Sequence, residues 1–129
     1  MSSSTSKTHI VLVADDEKSI AETLCSLIED MGYVAIQAPH GKAALELALK
    51  QWPTLLITDF MMPYMDGAAL VAAIQMVAKD EHYAPVGVIL MTAANAHYIP
   101  EGIHADAIVQ KPFDIDEMEK LILTFLNRK

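Results

Sequence analysis

The sequence predicts an α/β domain built on a five-stranded parallel sheet with helices on both faces. Three features carry that expectation. Five short, mostly apolar runs recur along the chain, at residues 10–14, 34–37, 55–59, 86–91 and 107–109. Amphipathic stretches with a 3.6-residue period separate them, and this alternation argues for a doubly wound sheet with right-handed crossovers. The runs are continuous rather than alternating in polarity, as strands covered on both faces require.

Ile10-Val11-Leu12-Val13-Ala14 is the first run, and it ends on Asp15-Asp16. Behind it Ile20, Leu24, Leu27, Ile28 and Met31 share one helical face, and Gly32 supplies the stop. The second run ends near Gln37-Ala38 without a charged group, as suits an edge strand remote from a site. His40-Gly41 opens a second helix, with Ala44, Leu45, Ala48 and Leu49 as its stripe and Trp52-Pro53 as its end. The third run, Leu55-Leu56-Ile57-Thr58, ends on Asp59. Pro63 and Asp66-Gly67 then read as a loop turning into a helix whose stripe is Leu70, Ile74 and Val77.

Val88-Ile89-Leu90-Met91 leads to Thr92. Across residues 93–105, Pro100 and Gly102 break the pattern, and Tyr98, Ile99 and Ile103 are its few large apolar residues. One short helix or an irregular loop is expected there. Ala107-Ile108-Val109 leads to Lys111-Pro112. Ile115, Met118, Leu121, Ile122 and Phe125 form the last stripe, with Asp114 as cap and Glu117 three residues on.

At 129 residues the chain is long enough for one domain with its own core. A hydrophobic content of 53% with 20% charged residues excludes a disordered chain. The net charge of -8 argues against direct nucleic-acid contact. Part of it is concentrated at Asp15, Asp16, Asp59 and Asp66, where a cation would neutralise it. The single cysteine, Cys25, cannot form an internal disulfide and fits a reduced, cytoplasmic setting, where it reads as a packing residue. Residues 1–8 are Ser/Thr-rich and read as a disordered tail rather than a signal peptide, leaving a domain at 9–129. No run approaches the roughly 18 apolar residues of a membrane span, so membrane insertion is not expected. The histidines show no i, i+4 pair or cysteine partner, which argues against a transition-metal site. Gly41 and Gly67 are isolated, so no glycine-rich phosphate loop is present.

In a doubly wound sheet, ligands bind beyond the carboxyl ends of the strands. Asp15, Asp16, Asp59, Thr92 and Lys111 all fall there. Carboxylates brought within a few ångströms either raise one another's pKa or recruit a cation. Two carboxylates and a backbone carbonyl would suit Mg2+ and leave positions for water and a phosphate oxygen. Asp15 and Asp16 also suit the cap of the following helix, but a third carboxylate from another strand end favours the metal. Asp59 gains nothing from packing at the end of a buried strand and is the candidate nucleophile. Carboxylate attack on phosphorus gives an acyl phosphate. Such transfer depends on neutralising the phosphoryl oxygens, a task for the metal and for Lys111 as a compact ammonium. Thr92 offers a hydroxyl to the phosphoryl group, or is simply a β-branched strand end.

Together, Asp15-Asp16, the stretch Asp59-Phe60-Met61-Met62-Pro63-Tyr64-Met65-Asp66-Gly67, Thr92-Ala93 and Lys111-Pro112-Phe113 resemble the signature of the receiver domain of two-component response regulators. The resemblance runs from Ile10 to about Arg128. It implies a flavodoxin-like fold with strand order 2-1-3-4-5. It implies phosphorylation of Asp59 by a histidine kinase or phosphotransfer protein. Mg2+, with Mn2+ as a substitute, would be bound by Asp16, Asp59 and the Met61 carbonyl, and by Asp15 through water. Lys111 would contact the phosphoryl group, Thr92 would swing toward it, and a cis peptide before Pro112 would aim Lys111 inward. Two departures stand out. Ile108 occupies the place of a switch aromatic, leaving Tyr98 as another reporter. Thr92 and Lys111 are also closer than usual by about one helical turn, which implies a shortened or distorted fourth helix.

The leading expectation is therefore a phosphorylation-controlled switch that acts through protein contacts, as a monomer or a weak phosphorylation-dependent dimer. It is a phosphoacceptor rather than an enzyme, although it catalyses its own phosphorylation. Met61 and Ala94 offer no acid or amide to orient water, so self-hydrolysis should be slow. The alternatives are a pseudo-receiver that binds protein constitutively, a receiver excised from a larger regulator or hybrid kinase, and a flavodoxin-like cofactor binder. The acids after the first strand oppose the last.

Overall fold

The computed structural model describes residues 9–93 and 104–127. Each apolar run is a strand: β1 (Ile10–Ala14), β2 (Val34–Ala38), β3 (Leu55–Asp59), β4 (Gly87–Ala93) and β5 (Ala107–Lys111). All pairings are parallel, in the order β2-β1-β3-β4-β5. This is the doubly wound order that the resemblance implies. Among the described residues there are four helices: α1 (Lys18–Asp30), α2 (Gly41–Lys50), α3 (Gly67–Glu81) and α4 (Ile115–Leu126). The expected tail at 1–8 lies outside the described residues. So do residues 94–103, where the broken fourth helix was expected, with Tyr98, Pro100 and Gly102.

The helix boundaries follow local chemistry. Gly32, at φ +92, ends α1. Its N–H donates to the Glu29 carbonyl at 2.9 Å, and the Tyr33 N–H donates to the Ile28 carbonyl at 3.1 Å. This paired closure needs a left-handed residue, which glycine adopts without steric cost. His40 Nδ1 accepts from Ala43 N–H at the start of α2, and Asp66 accepts from Ala69 N–H at the start of α3. Asp114 accepts from the N–H groups of Asp116 and Glu117 at the start of α4.

The sheet divides the core in two. Val11, Val13, Leu55, Ile57, Ile89 and Met91 face α1 and α4, meeting Leu24, Ile28, Met118 and Ile122. Leu12, Ala14, Leu56 and Val88 face the other way, against Ala44, Ala48, Leu70 and Ile74 of α2 and α3. β1, β3 and β4 are covered on both faces, as expected. β2 and β5 are edges, and β5 alternates between half-buried and exposed positions. The helical stripes are narrower than their sequence patterns: Leu49 and Ile115 are exposed, because each falls at the margin of an arc that only a few positions per turn can occupy. Cys25 is half-buried in α1; burial, with Glu29 and Glu22 nearby, pushes its thiol up to about 11, so it remains a protonated packing group. Among the described residues no helix is long and apolar enough to cross a membrane.

Candidate functional site

Strand register assembles the site. Ala14 pairs with Thr58, so Asp15 and Asp59 follow side by side at the carboxyl ends of β1 and β3. Asp59 pairs in turn with Met91, which places Thr92 one step beyond it on β4. Ala93 pairs with Lys111 at the end of β5. Residues that are 96 positions apart at the extremes are thus gathered at one edge, through strand order alone.

Asp15 and Asp59 are buried at 1% and 7% exposure, and Thr92 at 3%. Lys111 stands among the acids. Its Nζ lies 3.0 Å from Asp15 Oδ2, 3.2 Å from Asp59 Oδ2 and 2.9 Å from Glu17 Oε1. The contact with Glu17 is a hydrogen bond donated by Lys111. Burial lifts the Asp59 carboxyl above its ordinary pKa; Asp15 adds to the rise, Lys111 opposes it and Asp16 contributes a further push upward. For Lys111, burial works downward. The contacts with Glu17 and Asp15 and the charges of Asp15 and Asp59 outweigh it, so the ammonium is held more firmly than in water.

Asp15 Oδ2 is buried, and its close partner is the Lys111 ammonium at 3.0 Å. One ammonium among three carboxylates leaves the group with excess negative charge, which a divalent cation would offset. Carboxylate oxygens of Asp15, Glu17 and Asp59 lie within 4.8 Å of one another. A set of hard oxygen donors fits Mg2+ or Mn2+ rather than a thiophilic metal.

Asp16 is exposed and stands outside that triplet, although its charge still reaches Asp59. The chain bends at Asp16, where the Glu17 N–H donates to Asp15 Oδ1 at 2.9 Å, and this local turn brings Asp15 and Glu17 together while Asp16 is left exposed. Glu17 is the member of this acidic group that sequence reasoning passed over; the only signal for it was the unbroken string Asp15-Asp16-Glu17. Asp66 caps α3 instead of joining the acidic group. Met61 follows in the loop after Asp59 with its side chain exposed. Ile108 is 54% exposed on edge strand β5, away from the two buried cores. The Lys111-Pro112 peptide is cis.

Gly67 sets the backbone behind Asp59. Its N–H donates to the Phe60 carbonyl at 2.8 Å. A Cβ there would drive into the Asp59 carbonyl oxygen and stand 2.9 Å from Phe60 Cα. Gly67→Ala is therefore expected to cost about 1–3 kcal/mol, the usual penalty of overpacking. Urea denaturation checks this, and an unchanged midpoint would mean that the loop yields freely. A cleft of about 810 Å³ lies elsewhere. Thr54, Lys79, Tyr83, Gly87 and His104 help to line it at the amino ends of β3, β4 and β5, where none of these acids lies.

Comparison with known proteins agrees with this geometry. The family model for the response regulator receiver domain matches residues 11–123. The sporulation initiation phosphotransferase F of Bacillus subtilis is 32% identical over 119 residues, covering 92% of this chain and 94% of that protein. A probable transcriptional regulator ycf27 of Galdieria sulphuraria is 34% identical over 118 residues, covering 92% of this chain and 45% of that protein. The chain thus spans about half the length of the ycf27 relatives. Among solved structures, the chemotaxis protein CheY4 of Vibrio cholerae superposes with a TM-score of 0.79 at 26% identity, covering 92% of this chain and 99% of that one. A putative response regulator from Chloroflexus aurantiacus gives 0.78 at 28% identity, covering 95% of this chain and 100% of that one. With a family model spanning nearly the whole described fold and the acids, hydroxyl and lysine gathered at one sheet edge, the chain belongs to the response regulator receiver domain family of two-component signalling.

Proposed function

We propose that Asp59 accepts a phosphoryl group from a histidine kinase or phosphotransfer protein, in a Mg2+-dependent reaction, and that the modified domain signals to a downstream protein. Membership of the family supports phosphorylation-based signalling in general, carried out by a phosphoacceptor regulator rather than a conventional enzyme. The observation that carries the finer reading is the placement of Asp59: a buried carboxylate at a strand end, 3.2 Å from an ammonium and beside a second buried acid.

The chemistry follows from those groups. An Asp59 oxygen attacks phosphorus as the bond from phosphorus to the donor nitrogen breaks, and the departing imidazole keeps the electron pair. Lys111 balances charge on a phosphoryl oxygen, and the Thr92 hydroxyl donates to another. Bound Mg2+ would neutralise the remaining oxygen charge. Asp16, Asp59 and the Met61 carbonyl would hold it, with Asp15 acting through water; the closely grouped carboxylates, set against one ammonium, favour a cation at this place. Ala93 and Pro112 flank the two groups that respond, and Ile108 stands where the resemblance leads one to expect a switch aromatic. Met61 brings no acid or amide to orient water, so hydrolysis is slow, and a half-life of seconds would contradict this. The domain works as a monomer or a weak phosphorylation-dependent dimer.

Intact-mass measurement after incubation with acetyl phosphate tests the reading. One phosphoryl group should add in Mg2+ and none in excess chelator. No addition under either condition would favour a constitutive protein-binding module of the same fold.

A further inference from the structure

Glu17 sits where a helix cap belongs but does not cap. It is the N-cap residue of α1, and its side chain accepts no hydrogen bond from the first turn. No acid lies within that turn either. Its own N–H is taken by Asp15 Oδ1 at 2.9 Å. The carboxylate instead crosses the site to Lys111, 94 positions away in the chain. Lys111 is therefore shared by two buried acids and one acid whose side chain is 60% exposed.

An ammonium has three N–H donors, and Lys111 already faces three carboxylates. A phosphoryl group on Asp59 would add about -1.5 to -2 charges beside it, with strong acceptor oxygens. Its oxygens would compete with the present partners for the ammonium. Asp15 is fully enclosed and Asp59 carries the new group, whereas Glu17 opens to solvent and is readily hydrated on release. The positive end of α1, with no acidic side chain on it, lies next to Glu17 and favours a negative charge.

We propose that Glu17 is a positioning residue that holds Lys111 in the unphosphorylated state and is displaced toward the start of α1 when Asp59 carries a phosphoryl group. The proposal rests on the reading of Asp59 as phosphoacceptor. It gives the domain a route from the modified site to its surface that needs no aromatic at position 108. The same contact restrains phosphorylation, since Glu17 occupies the cation that the incoming group requires.

Amide spectra of the wild type and Glu17→Ala, in Mg2+ with and without beryllofluoride as a phosphoryl mimic, test it. Phe60 and Gly67 amides should move in both proteins. Lys18 and Ser19 amides should move strongly in the wild type and little in Glu17→Ala. At saturating Mg2+, phosphorylation by acetyl phosphate should run about twofold to fivefold faster in Glu17→Ala, the range of one exposed ion pair. That gain should shrink in about 1 M salt, where the screening length falls to about 3 Å. If Phe60 and Gly67 move and the Lys18 and Ser19 changes are equal in both proteins, the role of Glu17 is overturned and Asp59 keeps its assignment. If Phe60 and Gly67 move in neither, the reading of Asp59 fails, and the proposal with it.

Discussion

Replacing Asp59 by Asn is expected to abolish phosphoryl acceptance from acetyl phosphate while making the protein more stable at neutral pH. The amide keeps the shape of the carboxylate but has no nucleophilic oxygen of comparable charge, so no acyl phosphate forms. The stability gain follows from the sign of the Asp59 shift. Its pKa is raised in the folded state, chiefly by burial and then by Asp15. The folded state therefore binds the proton more tightly than the unfolded chain, and stability falls as pH rises from the ordinary carboxylate range through the raised value. At neutral pH the charge is present and unfavourable, and Asn removes it. A gain on the order of 1 kcal/mol is expected, which is about 4 °C in Tm for a domain of this size. The difference from wild type should close in acid, where Asp59 is itself protonated. Radiolabelled acetyl phosphate and calorimetry measure the two effects. Label at an unchanged level in the variant would remove Asp59 from its role.

The second large effect is expected at Lys111. Lys111→Met keeps the aliphatic stem and removes the ammonium that stands between Asp15, Asp59 and Glu17. Two of these acids are almost wholly buried. Stripping the partner from a buried charge typically costs about 3–5 kcal/mol, and proton uptake by one acid places this case at the lower end. A loss of about 3 kcal/mol at a urea slope of about 2 kcal/mol/M lowers the midpoint by about 1.5 M. Millimolar Mg2+ should recover part of this loss, because a second cation can occupy the same acidic ground. Magnesium should matter more to the variant than to the wild type. An unchanged midpoint without metal would show that the acids do not depend on Lys111.

Much of the fold was legible because each kind of segment announces itself locally. A strand covered on both faces must be apolar throughout, as Leu55-Leu56-Ile57 is, and the buried stretch of β3 matches that run. Gly32 and Asp114 marked helix ends through chemistry that acts over a few residues. Asp59 was legible because packing cannot explain a carboxylate there. The Lys111–Glu17 contact was not. It depends on how far β1 extends before α1 begins and on β5 returning to the far side of β3 and β4, and no local period encodes either. The exposure of Ile108 was hidden for a related reason: an apolar run looks the same at a sheet edge as in its centre. Leu49 and Ile115 show a smaller version of this, since a stripe read from a sequence has no fixed width.

The sheet acts as a partition between two compartments, and that makes chain neighbours thermodynamic strangers. Leu56 and Ile57 share a peptide bond, yet one packs with Leu70 and Ile74 and the other with Leu24 and Met118. Losses at positions without common partners tend to sum, whereas losses at touching positions do not. Side chains lining the α2–α3 compartment thus share no buried cluster with those of the α1–α4 compartment, whose first helix begins beside Lys111.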